Sequence, residues 1–121
     1  MLRVGKLTDY ATVVMTHLAG DQARMESANE IAAELGLALP TVSKILKAVL
    51  HYGLLASHRG AKGGYTLARP PEEISVAAII AAIEGPIALT ECSDSDGACD
   101  QERGCSVRGN WQRINRAVRE A

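Results

Sequence analysis

Residues 39–69 read LPTVSKILKAVLHYGLLASHRGAKGGYTLAR, a stretch in which a helical pattern gives way to two short strands. Apolar residues three and four positions apart predict an amphipathic helix over 39–51, with a proline in its first turn and a glycine after its end. The segments 54–59 and 65–69 then predict strands, and the glycine-rich residues 60–64 between them predict a hairpin tip. The stretch is therefore a helix followed at once by a β-hairpin.

Two further helices are expected upstream of this stretch. Residues 7–18 carry apolar side chains at helical spacing. Ser27 and Glu30 form a capping box at the start of a short second helix, which Gly36 closes. Residues 27–51 thus have the form of a helix-turn-helix, in which two helices are joined by a tight turn. Small helical bundles show the same spacing and are the alternative to this interpretation.

The second helix of this pair carries small polar and basic side chains near its start, a pattern that suits the major groove of DNA. A basic hairpin directly after such a helix is a wing, which places its cations near phosphates or the minor groove. The glycines of the tip otherwise indicate only a tight turn, because they match no nucleotide-binding spacing. The candidate DNA-contacting residues are Thr41, Ser43, Lys44 and Lys47 on the helix and Arg59 and Lys62 on the hairpin.

The charge distribution favours a nucleic-acid partner. The formal net charge of the 121 residues is only −1, yet no aspartate or glutamate occurs between Leu35 and Pro71. A one-sided basic block is the footprint expected of a phosphate-binding face, and a solvated basic surface is the alternative. Because the chain has no apolar run of about 18 residues and no signal-peptide pattern at its start, we expect a cytoplasmic protein of one domain's length with no membrane contact.

All three cysteines, Cys92, Cys99 and Cys105, lie in one polar, acidic segment. Thiols gathered in this way are more often metal ligands or redox groups than core residues, and three is one short of the usual set for zinc or an iron–sulfur cluster. The six and five intervening residues exceed the usual spacing of zinc-binding pairs. This spacing favours a cluster, with a zinc site or thiol switch as the alternative. No recognisable nucleophile–base pair joins these cysteines to a histidine, so we do not expect an enzyme.

After a fourth helix expected over residues 76–83, the C-terminal segment carries a narrow apolar seam. Its members are Val107, Trp111, Ile114 and Val118, separated by four, three and four positions. Such a seam suits pairing with the same helix of a twofold partner, and packing against its own domain is the alternative. The candidate dimer-interface residues are Trp111, Ile114 and Val118.

Taken in order, the helix-turn-helix, the wing motif at 59–67, the segment ISVAAIIAAIEG and the three cysteines resemble the Rrf-type winged-helix regulators. These include bacterial iron–sulfur and nitric-oxide responsive repressors of the IscR and NsrR kind, and the opening residues are most similar to the branch that regulates the SUF iron–sulfur assembly genes. The resemblance implies a mainly α protein. Its parts would be a winged helix-turn-helix domain at 1–85, a cluster-binding loop at 86–106 and a dimerisation helix at 107–121, truncated because typical members are longer.

The function implied by the resemblance is that of a homodimeric repressor of iron–sulfur assembly genes. It would bind double-stranded operator DNA under the control of a 2Fe–2S or 4Fe–4S cluster, which a donor from the iron–sulfur assembly machinery would supply. A nitric-oxide or redox sensor of the same fold is the alternative within the family.

By the same resemblance, the three cysteines are the cluster thiolates. IscR-like members take a histidine three residues after the last cysteine, but this position is Arg108 here, and a guanidinium cannot ligate a metal. NsrR-like members use an aspartate near the N-terminus of the partner subunit, and Thr8-Asp9-Tyr10 matches that pattern. Asp9 is therefore the expected fourth ligand. The alternative for Asp9 is a carboxylate that favours the positive end of a helix.

Overall fold

The computed structural model describes residues 3–89 and 104–121. These residues form five α-helices, a short 3-10 helix and one antiparallel pair of strands, so the protein is mainly helical with a two-stranded wing, as predicted. The helices are α1 (Lys6–Gly20), α2 (Ala28–Leu35), α3 (Leu39–His51), α4 (Val76–Glu84) and α5 (Arg108–Glu120). The strands are β1 (Leu55–His58) and β2 (Gly64–Leu67), and the 3-10 helix spans Pro71–Glu73. None of the described helices is long and apolar enough to cross a membrane.

The predicted helix-turn-helix is formed by α2 and α3. Ser27 Oγ accepts a hydrogen bond from Glu30 N–H, and the Glu30 carboxylate accepts one from Ser27 N–H, which confirms the capping box. Gly36 ends α2 in the left-handed region (φ 66°), where its N–H donates to the carbonyl of Ala32. Pro40 lies in the first turn of α3, where its missing N–H costs no helical hydrogen bond. These local signals set the short turn between the two helices.

One aliphatic core lies between α1, α3 and α4 and extends under α2 and the start of β1. Its buried residues are Ala11, Val14, Met15, Leu18, Ile31, Ala32, Val42, Ile45, Leu46, Val49, Leu54, Leu55 and Ile79. Removing such side chains from water is the main favourable contribution to folding. Because the apolar stripe of α3 points into this core, the opposite face of α3 is left to the solvent.

The wing is an antiparallel hairpin in which His58 pairs with Gly64. Its first strand is one residue shorter at each end than predicted. Its second strand begins one residue earlier than predicted, because Gly64 takes part in the pairing, and it ends two residues earlier, at Leu67. At the tip, Gly63 N–H donates to the carbonyl of Gly60 (3.0 Å). Gly60 has φ +115°, a conformation that favours glycine. The predicted glycine turn is thus confirmed.

A single residue from the segment between α1 and α2 adds one further rung to the wing, as an isolated β-bridge to β2. Glu26 N–H donates to the carbonyl of Tyr65 (3.4 Å), and Tyr65 N–H donates to the carbonyl of Glu26 (2.8 Å). Gly64 lies so close to this rung that a β-carbon on it would be 2.5 Å from the carbonyl carbon and oxygen of Glu26. The base of the wing is therefore held to the body of the protein by backbone atoms.

Helix α5 binds its own chain through polar groups. The side chain of Asn115, a residue only 4% exposed, donates from Nδ2 to the carbonyl of Ile87 (3.0 Å) and accepts at Oδ1 from Leu89 N–H (2.9 Å). Arg119 Nε also donates to the carbonyl of Ile87 (2.9 Å). The predicted apolar seam of this helix is instead 39–48% exposed at all four of its positions. Within the described part of the chain, α5 thus turns its polar side inward and its seam outward.

Candidate nucleic-acid interface and metal-binding residues

The outward face of α3 carries the candidate DNA-contacting residues of that helix. Ser43, Lys44 and Lys47 are exposed on the side opposite the core, and Thr41 is half-buried at the edge of this face. The first turn of α3 contains no acidic residue, and no side chain caps it. The N–H groups at such a helix start favour an anion such as a phosphate. The face therefore combines hydrogen-bonding groups with positive charge.

The two cations of the wing are exposed at its tip, as Arg59 and Lys62. The hairpin follows α3 directly, since Leu54 N–H donates to the carbonyl of Val49 in the last turn of that helix (3.0 Å). The basic residues of α3 and those of the wing thus belong to one continuous part of the fold.

Charged side chains meet where the wing joins the body, in a group that we call the wing-foot cluster: His17, Arg24, Glu26, Glu30 and Glu34. His17 Nε2 lies 2.6 Å from Glu26 Oε2 and 2.9 Å from Glu34 Oε2. Arg24 Nη1 lies 3.2 Å from Glu26 Oε1, and Arg24 Nη2 lies 2.9 Å from Glu34 Oε1. A longer contact of 3.7 Å joins Arg24 Nη2 to Glu30 Oε2. Glu26 is the buried member, with its side chain 6% exposed.

The charges of this cluster act on one another. Burial raises the pKa of Glu34, but its hydrogen bond with Glu26 and the charge of Arg24 outweigh this effect, so the pKa of Glu34 lies below its ordinary value. The charge of Glu34 in turn raises the pKa of Arg24. Sequence reasoning missed the cluster because its members come from α1, α2 and the segment between them. A signal was present in the four-residue spacing of Glu30 and Glu34, which places both on one side of α2.

Of the four predicted ligands of the iron–sulfur cluster, Asp9 and Cys105 lie within the described residues. Cys105 is a free, partly buried thiol three residues before the start of α5. Asp9 is exposed in the first turn of α1. A free thiol and an exposed carboxylate are both suited to iron, the thiolate as the usual ligand of iron–sulfur clusters and the carboxylate as a harder donor. Cys92 and Cys99 lie outside the described residues.

A helix-turn-helix with an exposed basic face, followed directly by a wing, defines a winged-helix DNA-binding protein. Residues 4–121 match the model of the family Rrf2, described as an iron-dependent transcriptional regulator. The chain belongs to this family, which confirms the resemblance to the Rrf-type regulators at the level of the family.

Relatives and solved structures agree with this assignment. A chain of Rhodobacter capsulatus named as an rrf2-like regulator of the helix-turn-helix type is 32% identical over 109 residues, covering 82% of this chain and 72% of that relative. CymR, the global cysteine regulator of B. subtilis, superimposes with a TM-score of 0.72 at 27% identity, covering 99% of this chain and 88% of CymR. For IscR of T. potens the TM-score is 0.70 at 28% identity, with coverages of 98% and 78%.

This chain spans between 52% and 75% of the length of the curated relatives that it matches. The family and the named relatives are transcriptional regulators and not enzymes. The protein is therefore a DNA-binding transcriptional regulator of the Rrf2 type.

Proposed function

We propose that this chain is a homodimeric repressor of iron–sulfur cluster assembly genes, and that an iron–sulfur cluster controls its binding to double-stranded operator DNA. The observation that carries the proposal is the exposed basic face of α3 with the wing next to it in the fold. Because its proposed ligand is operator DNA, the protein would act in the cytoplasm.

Within this proposal, the residues of α3 divide by role. Thr41 and Ser43 are short hydroxyl side chains near the start of the helix, suited to base edges in the major groove. Lys44 and Lys47 are longer and contact phosphates, which fixes the register of the helix without reading sequence. Arg59 and Lys62 extend the same contact along the DNA backbone or into the minor groove.

The proposed dimer is supported by the face of α5 that does not bind its own chain. While Asn115 binds the backbone of its own chain, the apolar residues Trp111, Ile114 and Val118 remain partly exposed, at 39%, 48% and 42%. An exposed apolar row along a helix is stabilised when a second copy covers it. A twofold dimer would also present two copies of α3 to two half-sites of an operator.

Three thiolates and the carboxylate of the partner subunit's Asp9 are the proposed ligands of the cluster. When bound, the cluster supplies iron whose oxidation state and integrity respond to the surroundings. The carboxylate is harder than the thiolates, and we expect it to exchange first. Since Cys105 lies three residues before α5, ligation at Cys105 would fix the start of the helix that forms the proposed dimer contact. Loss of the cluster would then change how the two copies of α3 are presented to DNA.

Replacing Arg59 with alanine is expected to weaken binding to operator DNA by about ten-fold, because one cation of the wing no longer meets a phosphate or base. The probe is a duplex enriched from a random-sequence pool by the wild-type protein, and dissociation constants are measured over a series of salt concentrations. The slope of log affinity against log salt concentration should become shallower by about 0.9, the change expected when one phosphate contact is lost.

The matched control for this measurement is Arg116→Ala, which removes the same charge from the exposed surface of α5. It should leave the affinity within about two-fold of wild type. Equal losses in the two variants would show that overall charge, and not the wing, binds the DNA.

Replacing Asp9 with alanine is expected to change the visible absorbance of anaerobically prepared protein and to reduce its bound iron, because one ligand of the cluster is lost. Cys105→Ala should abolish the absorbance. Asp21→Ala, which removes a carboxylate from the other end of α1, is the control and should leave the spectrum unchanged. A wild-type spectrum in Asp9→Ala would refute the assignment of Asp9.

Iron and sulfide quantitation with a Mössbauer spectrum of the same preparations defines the cluster type. Affinity of cluster-loaded and cluster-free protein for the enriched duplex, at one fixed salt concentration, then tests control by the cluster. Equal affinities contradict that control. Colourless protein with bound zinc would favour the zinc or thiol-switch alternative.

A further inference from the structure

In the wing-foot cluster, the two carboxylates that contact His17 divide their oxygens between two partners. The Oε1 atoms of Glu26 and Glu34 face Arg24 at 3.2 and 2.9 Å. Their Oε2 atoms both face the single ring nitrogen Nε2 of His17, at 2.6 and 2.9 Å. Arg24 thus holds the outer oxygens, and the inner oxygens converge on one imidazole nitrogen.

A ring nitrogen has either one proton or one lone pair, so His17 Nε2 can satisfy only one of the two inner oxygens. Two ionised carboxylates directed at the same point also repel each other, and the hydrogen bond between Glu34 and Glu26 relieves this repulsion only while a proton lies between them. Water can reduce this repulsion only slightly, because the side chain of Glu26 is only 6% exposed. The arrangement leaves a point between one nitrogen and two oxygens where a positive charge would satisfy all three atoms.

We propose that His17 Nε2, Glu26 Oε2 and Glu34 Oε2 bind one divalent cation of the first transition row, such as Mn²⁺, Fe²⁺ or Zn²⁺. These three donor atoms lie within 4.8 Å of one another. An imidazole with two carboxylates is a donor set that these cations accept. Two negative carboxylates balance the charge of the ion, which takes the place of the proton in the hydrogen bond between Glu26 and Glu34.

Arg24 fits this site as an outer partner that orients the ligands. Metal-ligating carboxylates are commonly fixed by hydrogen bonds from a second side chain to the oxygen that does not face the metal. The contacts of Arg24 to the two Oε1 atoms have this form. The guanidinium therefore need not leave when the cation binds.

The position of the site connects it to the wing. Glu26 contributes its carboxylate to the proposed site and its backbone to the pair with Tyr65 of β2. A bound ion would tie α1 and α2 to the segment on which the base of the wing is held. An effect on operator affinity would rest on the proposed function, whereas the binding of the ion does not.

The experiment is a titration of the full chain with Mn²⁺, followed by the electron paramagnetic resonance signal of the free ion. Mn²⁺ is chosen because it prefers oxygen and nitrogen donors to thiolates, so the cysteines compete little. We expect one saturable site per chain, and at least ten-fold weaker binding in both Glu34→Gln and His17→Gln. The matched control is Glu30→Gln, which removes one charge one turn earlier on α2 and keeps the capping box. It should bind Mn²⁺ within two-fold of wild type.

No saturable binding to wild type would overturn the proposal, as would wild-type affinity in Glu34→Gln. Equal losses in Glu30→Gln and Glu34→Gln would also overturn it, since they would indicate attraction to the acidic surface alone. Circular dichroism of each variant checks the fold, and Glu34→Gln decides the matter if His17→Gln does not fold. DNA plays no part in this titration, so its outcome is independent of whether operator binding is found.

Discussion

Replacing Gly64 with alanine is expected to lower the free energy of unfolding by about 2 to 3 kcal/mol, the upper part of the range for overpacked sites. The added β-carbon would lie 2.5 Å from the carbonyl carbon and oxygen of Glu26, and 3.0 Å from its nitrogen. These are backbone atoms, which cannot rotate away as the end of a side chain can. The rung between Glu26 and Tyr65 must therefore open, or the wing must move.

The measurement is urea unfolding followed by circular dichroism at one protein concentration, because a dimer makes apparent stability depend on concentration. Gly20→Ala is the matched control, since it adds the same methyl group where no atom beyond the adjacent residues and the backbone of its own helix lies within 4 Å. It should be neutral or stabilising by up to about 1 kcal/mol, as alanine favours helices over glycine. If Gly64→Ala were as stable as wild type, the close approach at the base of the wing would be wrong.

Replacing Ile114 with glutamate is expected to dissociate the proposed dimer and to weaken operator binding by at least about 100-fold. The charge would face the apolar seam of the second copy, where it cannot be hydrated. Two linked recognition helices bind two half-sites far more tightly than either binds alone, by about 100-fold or more, and a monomer loses that gain. The fold of each chain should be unaffected, because Ile114 is 48% exposed in it.

Sedimentation measures the mass of this variant, and titration of the enriched duplex measures its affinity. The control is Gln112→Glu, which adds the same charge about 160° around the helix axis from Ile114. It should remain dimeric and bind DNA normally. A dimeric Ile114→Glu protein with wild-type affinity would place the dimer contact elsewhere.

The parts of the fold that sequence reasoning predicted are those that depend on local patterns. The capping box at Ser27, the left-handed Gly36 and the glycine turn at Gly60 each follow from a few adjacent residues, and each is present. The exposed face of α3 followed in the same way, because the helical period assigns Ser43 and Lys47 to the side away from the core.

The parts that were missed depend on contacts between distant residues. The pair of Glu26 with Tyr65 is a single rung with no repeat, so no periodic pattern in the sequence predicts it. The wing-foot cluster joins His17 to Glu34 only after α1 and α2 have packed. Asn115 is buried in a helix whose pattern marks its other side as apolar, and its partners are backbone atoms, which carry no residue-specific signal. For the candidate iron ligands, the resemblance to known motifs supplied the identities of the residues but no distances between them.

The base of the wing is held by main-chain hydrogen bonds, at Glu26 and Tyr65, and by the absence of a side chain at Gly64. Main-chain bonds do not depend on which side chains the tip carries. Residues such as Arg59 and Lys62 can therefore be exchanged during evolution without altering the framework that presents them. Related regulators that keep this base would be free to acquire different operators by changing a few exposed side chains, with little loss of stability.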